Sequence, residues 1–164
     1  MMRVIFVAFL FTASALAQVP SSACGPENAG FRVTLNKSHA ALPKAEPGKA
    51  LVVFIQDFGV RKFGIGVHVI GRVGVDGAWV GAVKDNSYVS AFLGPGEHHV
   101  CMNLESEMLG NPVELAHFTA EAGNVYYFRS RYISGGNLLL TPVDSDEAMY
   151  EVEMFPLSTS KPKN

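Results

Sequence analysis

VHVIGRVGVDGAWVGAVKDNSYVSAFLGPGEHHVC, running from Val67 to Cys101, decides the fold class. Two apolar runs flank Asp76-Gly77, and two more flank Gly94-Pro95-Gly96-Glu97. Asp-Gly between alternating runs is a strong hairpin signal, because a type I′ turn needs positive φ at both central residues. Pro-Gly marks a turn for a related reason: proline pre-sets φ and glycine takes the conformation other residues avoid. The stretch predicts a β-meander. Val67, Val69, Gly71, Val73 and Val75 share the core face by the period-two rule, while His68, Ile70 and Arg72 point the other way.

The same grammar extends outward on both sides. Phe31 to Leu35 alternates and reads as a half-buried strand, and the nearly continuous apolar run Ala50 to Ile55 suits a central strand covered on both faces. Gln56-Asp57-Phe58-Gly59 ends it. Downstream, Val113 to Ala120 and Asn124 to Ile133 read as strands joined in a hairpin through Glu121-Ala122-Gly123. Glu105 to Leu109 reads as one helical turn or a longer loop. Gly135-Gly136 turns into a strand from Asn137 that Pro142 stops. Asp144 and Glu147 have capping-box spacing, which predicts a helix from Ser145 to about Val152, with Met149, Val152 and Met154 inward. Eight or nine short strands at regular spacing predict an all-β, antiparallel sandwich over residues 18–154, with a short C-terminal helix and a polar flexible tail at 155–164.

Charge and the N-terminus bound the function. The 164 residues carry a formal net charge of −2 and no basic patch, which disfavours nucleic-acid binding. Met1-Met2-Arg3, the apolar run Val4 to Phe11 and Ala15-Leu16-Ala17 are the three parts of a signal peptide cleaved after Ala17. The run is too short to span a bilayer, which takes about 20 apolar residues, so no transmembrane segment is expected after cleavage. The expected location is periplasmic or secreted. Lipid anchoring through Cys24 is the lesser reading, since Ser21-Ser22-Ala23 lacks the aliphatic residue a lipobox needs. In an oxidising compartment the only two cysteines, Cys24 and Cys101, are expected to form a structural disulfide.

The ordered set Val75-Asp76-Gly77, Val80-Gly81, Pro95-Gly96-Glu97-His98, Val100, Phe118, Ala120-Glu121-Ala122-Gly123, Tyr126-Tyr127-Phe128-Arg129, Leu140 and Pro142-Val143-Asp144 resembles the bacterial envelope family called domain of unknown function 2846. The resemblance covers roughly Gly48 to Met154. The first half is also similar to short sandwich repeats with a P-E-G-A signature. The resemblance implies exported or lipid-anchored proteins with an immunoglobulin-like or transthyretin-like sandwich, and no enzymatic activity.

Strand geometry limits which side chains can share a site. His68, His98, His99 and His117 are tempting as zinc or copper ligands, yet adjacent strand residues face opposite sides and no H-x-H pair shares one face. The glycines between Gly59 and Gly81 alternate with valine, which is strand spacing rather than a phosphate loop. No nucleophile elbow accompanies any serine. Alternation puts Tyr126, Phe128 and Tyr132 on one side of their strand, and Tyr127, Arg129 and Arg131 on the other. The plain reading is one buried aromatic row and one solvated row; the functional reading makes Tyr127, Arg129 and Arg131, with Trp79 where its side faces out, a candidate stacking surface for a glycan or peptide. The expected function is a non-catalytic envelope interaction module without cofactor, whose partner is an envelope protein, peptide or glycan; the alternative is a histidine-based metal-binding periplasmic protein or small enzyme.

Overall fold

The computed structural model describes residues 23–36, 41–44, 46–58, 69–105, 110–133 and 137–163. Among them are ten strands: β1 (Phe31–Asn36), β2 (Ala50–Gln56), β3 (Ile70–Val75), β4 (Ala78–Lys84), β5 (Ser87–Leu93), β6 (Gly96–Glu105), β7 (Val113–Ala120), β8 (Val125–Ile133), β9 (Asn137–Pro142) and β10 (Leu157–Pro162). One helix, α1 (Ser145–Met154), lies between β9 and β10. The strands form a two-sheet sandwich, six in the order β1-β10-β5-β2-β8-β9 and four in the order β4-β3-β6-β7.

β2 explains the architecture. Its residues from Ala50 to Gln56 are all at most 1% exposed, as a continuous apolar run requires. Val52 and Phe54 face the inter-sheet core with Val73, Val75, Val83, Val100, Met102, Leu104, Phe128 and Leu140. Leu51, Val53 and Ile55 face outward, where α1 covers them together with Tyr88 and Tyr127 through Ala148 and Val152. A third, partial layer therefore sits on the larger sheet. Gln56 ends the strand as expected, yet it is fully buried despite its polarity; its amide donates to the carbonyls of Val69 (3.2 Å) and Asp85 (2.8 Å).

The sandwich is mixed rather than purely antiparallel, because β2 runs parallel to β8 and β10 parallel to β5. The predicted meander is also half right. The β3–β4 hairpin turns at Asp76 (φ 49°) and Gly77 (φ 82°), the positive pair of a type I′ turn. β5, however, crosses to the other sheet, and Gly94-Pro95 returns the chain to β6, which pairs with β3. The connection Glu121-Ala122-Gly123 likewise carries the chain from β7 in one sheet to β8 in the other, so the expected hairpin there is corrected to a crossover. Turn residues reverse the chain equally well in both settings.

Two C-terminal expectations change as well. Leu157 to Pro162 is no flexible tail but β10, inserted between β1 and β5. Its polar residues are held by hydroxyl contacts: Ser158 Oγ with Ser87 Oγ (2.7 Å), Thr159 with Thr34 (2.8 Å), and Ser160 Oγ accepting from the Ala82 amide (3.0 Å). Helix α1 buries Ala148, Glu151 and Val152, whereas Met149 and Met154 are exposed. Asp144 occupies the N-cap without a side-chain capping bond, and Glu147, the other half of the expected box, pairs with Arg129 instead. The expected helical turn at Glu105 to Leu109 begins in β6 and continues outside the described residues, as do His68 and the Gly135-Gly136 turn.

Candidate functional site

Alternation along β3 puts Arg72 on the outer face of the four-stranded sheet, where a guanidinium is expected to meet solvent. It is only 8% exposed. The N-terminal segment from Ala23 to Gly30 crosses this face as a strap, and Arg72 is its central anchor. Arg72 Nη1 donates to the carbonyls of Glu27 and Ala29, both at 2.8 Å, and Nε donates to Asn103 Oδ1 at 2.9 Å. Glu105 stands 3.5 Å from the same guanidinium. Five fixed donors suit this task, since a buried charge is tolerated only with its hydrogen bonds filled.

Trp79 completes the anchor. Its ring lies under the guanidinium, 4.7 Å from centroid to Cζ, and its Nε1 donates to the Pro26 carbonyl at 2.8 Å. Cys24 and Cys101 form the expected disulfide, with Cα atoms 5.3 Å apart. Gly74 lets the strap lie flat, because a Cβ there would sit 2.7 Å from the Ala23 carbonyl oxygen. The loop closed by the disulfide has a sequence separation of 77, worth about 4.5 kcal/mol in the chain-entropy model.

The other three candidate surface residues lie on the opposite side of the molecule. Tyr127 is buried beneath α1, with its hydroxyl 3.5 Å from Met149 Sδ, and burial pushes its phenol above the ordinary value. Arg129 pairs with Glu147 and, at 2.9 Å, with Glu151, both on α1. Arg131 pairs with Asp57 at 3.0 Å yet keeps 47% of its side chain exposed. The predicted alternation along β8 therefore holds, while Trp79 belongs to a different face from the other three. Exposed Ile133 and Leu139 adjoin Arg131, and Leu139 is its cross-strand partner.

The histidines separate as strand geometry requires. His98 faces inward against Phe118, with its Nδ1 2.6 Å from Asp76 Oδ2 and its Nε2 2.9 Å from the Gly94 carbonyl oxygen. Both ring nitrogens meet acceptors, an arrangement that only the imidazolium fills completely. Burial alone lowers the His98 pKa; the hydrogen bond and charge of Asp76 and the Gly94 carbonyl outweigh it and hold the ring above its ordinary value. Asp76 shows the converse: burial raises its pKa, but bonds from His98 and the His99 amide hold the carboxyl below its ordinary range. His99 and His117 face outward and oppose each other across β6 and β7, a pairing that the reading of single strands missed.

Among the described residues no helix is long and apolar enough to cross a membrane. In comparisons with known proteins, no family model, curated protein or solved structure matches the chain.

Proposed function

We propose that this protein is an exported, non-catalytic interaction module of the bacterial cell envelope. The observation that carries the reading is the strap: its only cysteine is spent on a structural disulfide, beside a tryptophan and an arginine that are likewise engaged in holding it. Such a bond persists in oxidising compartments, which agrees with the leader-like Met1 to Ala17 and with a periplasmic or secreted location. The sequence resemblance to the domain of unknown function 2846 family supports the same role and an immunoglobulin-like or transthyretin-like ancestry for the sandwich. Two parallel strand pairs and the covering helix are the points at which this chain departs from a simple antiparallel version.

The docking surface in this reading centres on Arg131, with Ile133 and Leu139 beside it, and takes an envelope protein, peptide or glycan. Apolar area around a guanidinium that keeps free donors is the composition favoured at interface hot spots. Expression with the native leader, osmotic-shock fractionation and thiol alkylation test the location. An oxidised protein in the shock fluid is expected; a cytoplasmic protein with two free thiols would overturn the export reading. A photo-crosslinker at Leu139 tests the surface: a reproducible adduct lost on Arg131→Glu is expected, and an adduct indifferent to that change moves the interface elsewhere.

A further inference from the structure

The β6–β7 register sets His99 opposite His117 on the outer face of the four-stranded sheet. The two rings are 6.3 Å apart between centroids and tilted by 37°, and both side chains are exposed. Among the described residues, neither imidazole nitrogen is engaged by a hydrogen bond or a carboxylate. Imidazole nitrogens bind zinc at about 2.1 Å. Two rings sharing one ion at a tetrahedral or wider angle then have centroids roughly 5 to 6.5 Å apart. The pair already stands inside that range.

We propose that His99 and His117 chelate a divalent transition-metal ion, with Cu2+ bound more tightly than Zn2+. The site is independent of the docking surface around Arg131, which lies on the other sheet. Antiparallel pairing supplies the preorganisation, since directly opposed residues are held close without any loop ordering. Glu97 lies one step along the same face, opposite Thr119, and Asp76 Oδ1 accepts the His99 amide at 2.9 Å, so two carboxylates stand near the β6 end of the pair. No three ligating side chains converge among the described residues, so two imidazoles hold the ion and water fills its other positions. Such a site exchanges its metal readily and leaves coordination positions open toward solvent. β7 is the outermost strand of its sheet, so those positions face out from an edge. The order Cu2+ over Zn2+ follows the general affinity series for nitrogen ligands.

The test uses the mature, disulfide-intact protein titrated calorimetrically with Cu2+ and separately with Zn2+ in a non-coordinating buffer. One saturable site is expected, tighter for Cu2+, and weakened at least tenfold by either His99→Ala or His117→Ala. The double variant is expected to lose no more than a single one, because one imidazole alone is no chelate. His98→Gln is the control and is expected to leave binding unchanged, since that ring faces the other way. Far-UV circular dichroism confirms folding of each variant, and electron paramagnetic resonance of the Cu2+ form is expected to show two imidazole nitrogens. Saturable binding only above millimolar metal, or binding that survives both single substitutions, would overturn the proposal.

Discussion

At the residue scale, the Asp76–His98 contact ties the β3–β4 turn to the start of β6, and its strength depends on pH from both sides. The folded-state pKa of His98 is raised, so its contribution is complete below the unfolded histidine value of about 6.5 and disappears as pH climbs through the folded value. That of Asp76 is lowered, so its contribution is present above about 3.9 and disappears as pH falls through the folded value. The window is therefore roughly pH 4 to 6.5. Asp76→Asn is the informative substitution, because asparagine tolerates the left-handed conformation that Asp76 adopts. The variant is expected to be less stable by about 0.5–1 kcal/mol near pH 5.5, a figure already discounted for the exposure of Asp76. The gap is expected to narrow toward pH 8 and toward pH 3. Urea midpoints measured across that range in chelator-treated buffer would check it, and a gap constant with pH would refute the charged clamp.

At the element scale, α1 is docked by charge as well as by apolar burial. Ala148 and Val152 give the helix a thin apolar stripe, and Arg129 reaches up from β8 to Glu147 and Glu151. Arg129→Ala leaves the Glu151 carboxylate, 10% exposed in its side chain, with only Arg131 at 3.8 Å. Breaking such a pair is expected to cost about 3 kcal/mol, much of it from the stranded charge. Glu151→Gln in the same background is therefore expected to recover part of the loss, which chemical denaturation would show. If the two changes simply added, the network would be decorative. β10 makes a similar point with hydroxyls in place of charges. Truncation after Pro156 removes a strand that pairs along all of β1 and leaves Ser87 Oγ without Ser158, so a large loss of cooperativity in thermal unfolding is expected.

These elements also mark what could be read in the sequence. Alternation recorded which face each side chain takes in β8 and beside the Asp76-Gly77 turn, and the unbroken apolar run of β2 recorded burial on both faces. It carries no record of which strands become neighbours. The β5 and β8 crossovers looked like hairpins for that reason, and the opposition of His99 to His117 was invisible. Hydrophobicity failed where polar groups are buried in matched pairs: Ser158 under Ser87, Gln56 over two carbonyls, and Arg72 beneath the strap. The candidate surface failed to assemble for the same reason. Trp79 and Tyr127 read as solvent-facing aromatics until their covers, the strap and α1, were in view.

At the scale of the whole molecule, the strap is separable from the sandwich it crosses. The inter-sheet core draws on β2, β3, β4, β6, β8 and β9, and none of its residues lies between Ala23 and Gly30. Arg72 keeps Asn103 and Glu105 as partners when the two strap carbonyls leave, so opening the strap strands no buried charge. Reduction of Cys24–Cys101 at 25 °C is therefore expected to release the strap while both sheets remain. The stability loss is expected to approach but not exceed about 4.5 kcal/mol, which a domain in the usual range of 5–15 kcal/mol survives narrowly. Trp79 is the only tryptophan, so its fluorescence reports this one event. Its emission is expected to shift to longer wavelength on reduction, as the ring loses the strap and its bond to Pro26, while the far-UV circular dichroism stays that of a β protein. Global unfolding on reduction would show instead that the strap is part of the cooperative core. An unchanged emission would show that Arg72 and Trp79 hold it without the disulfide.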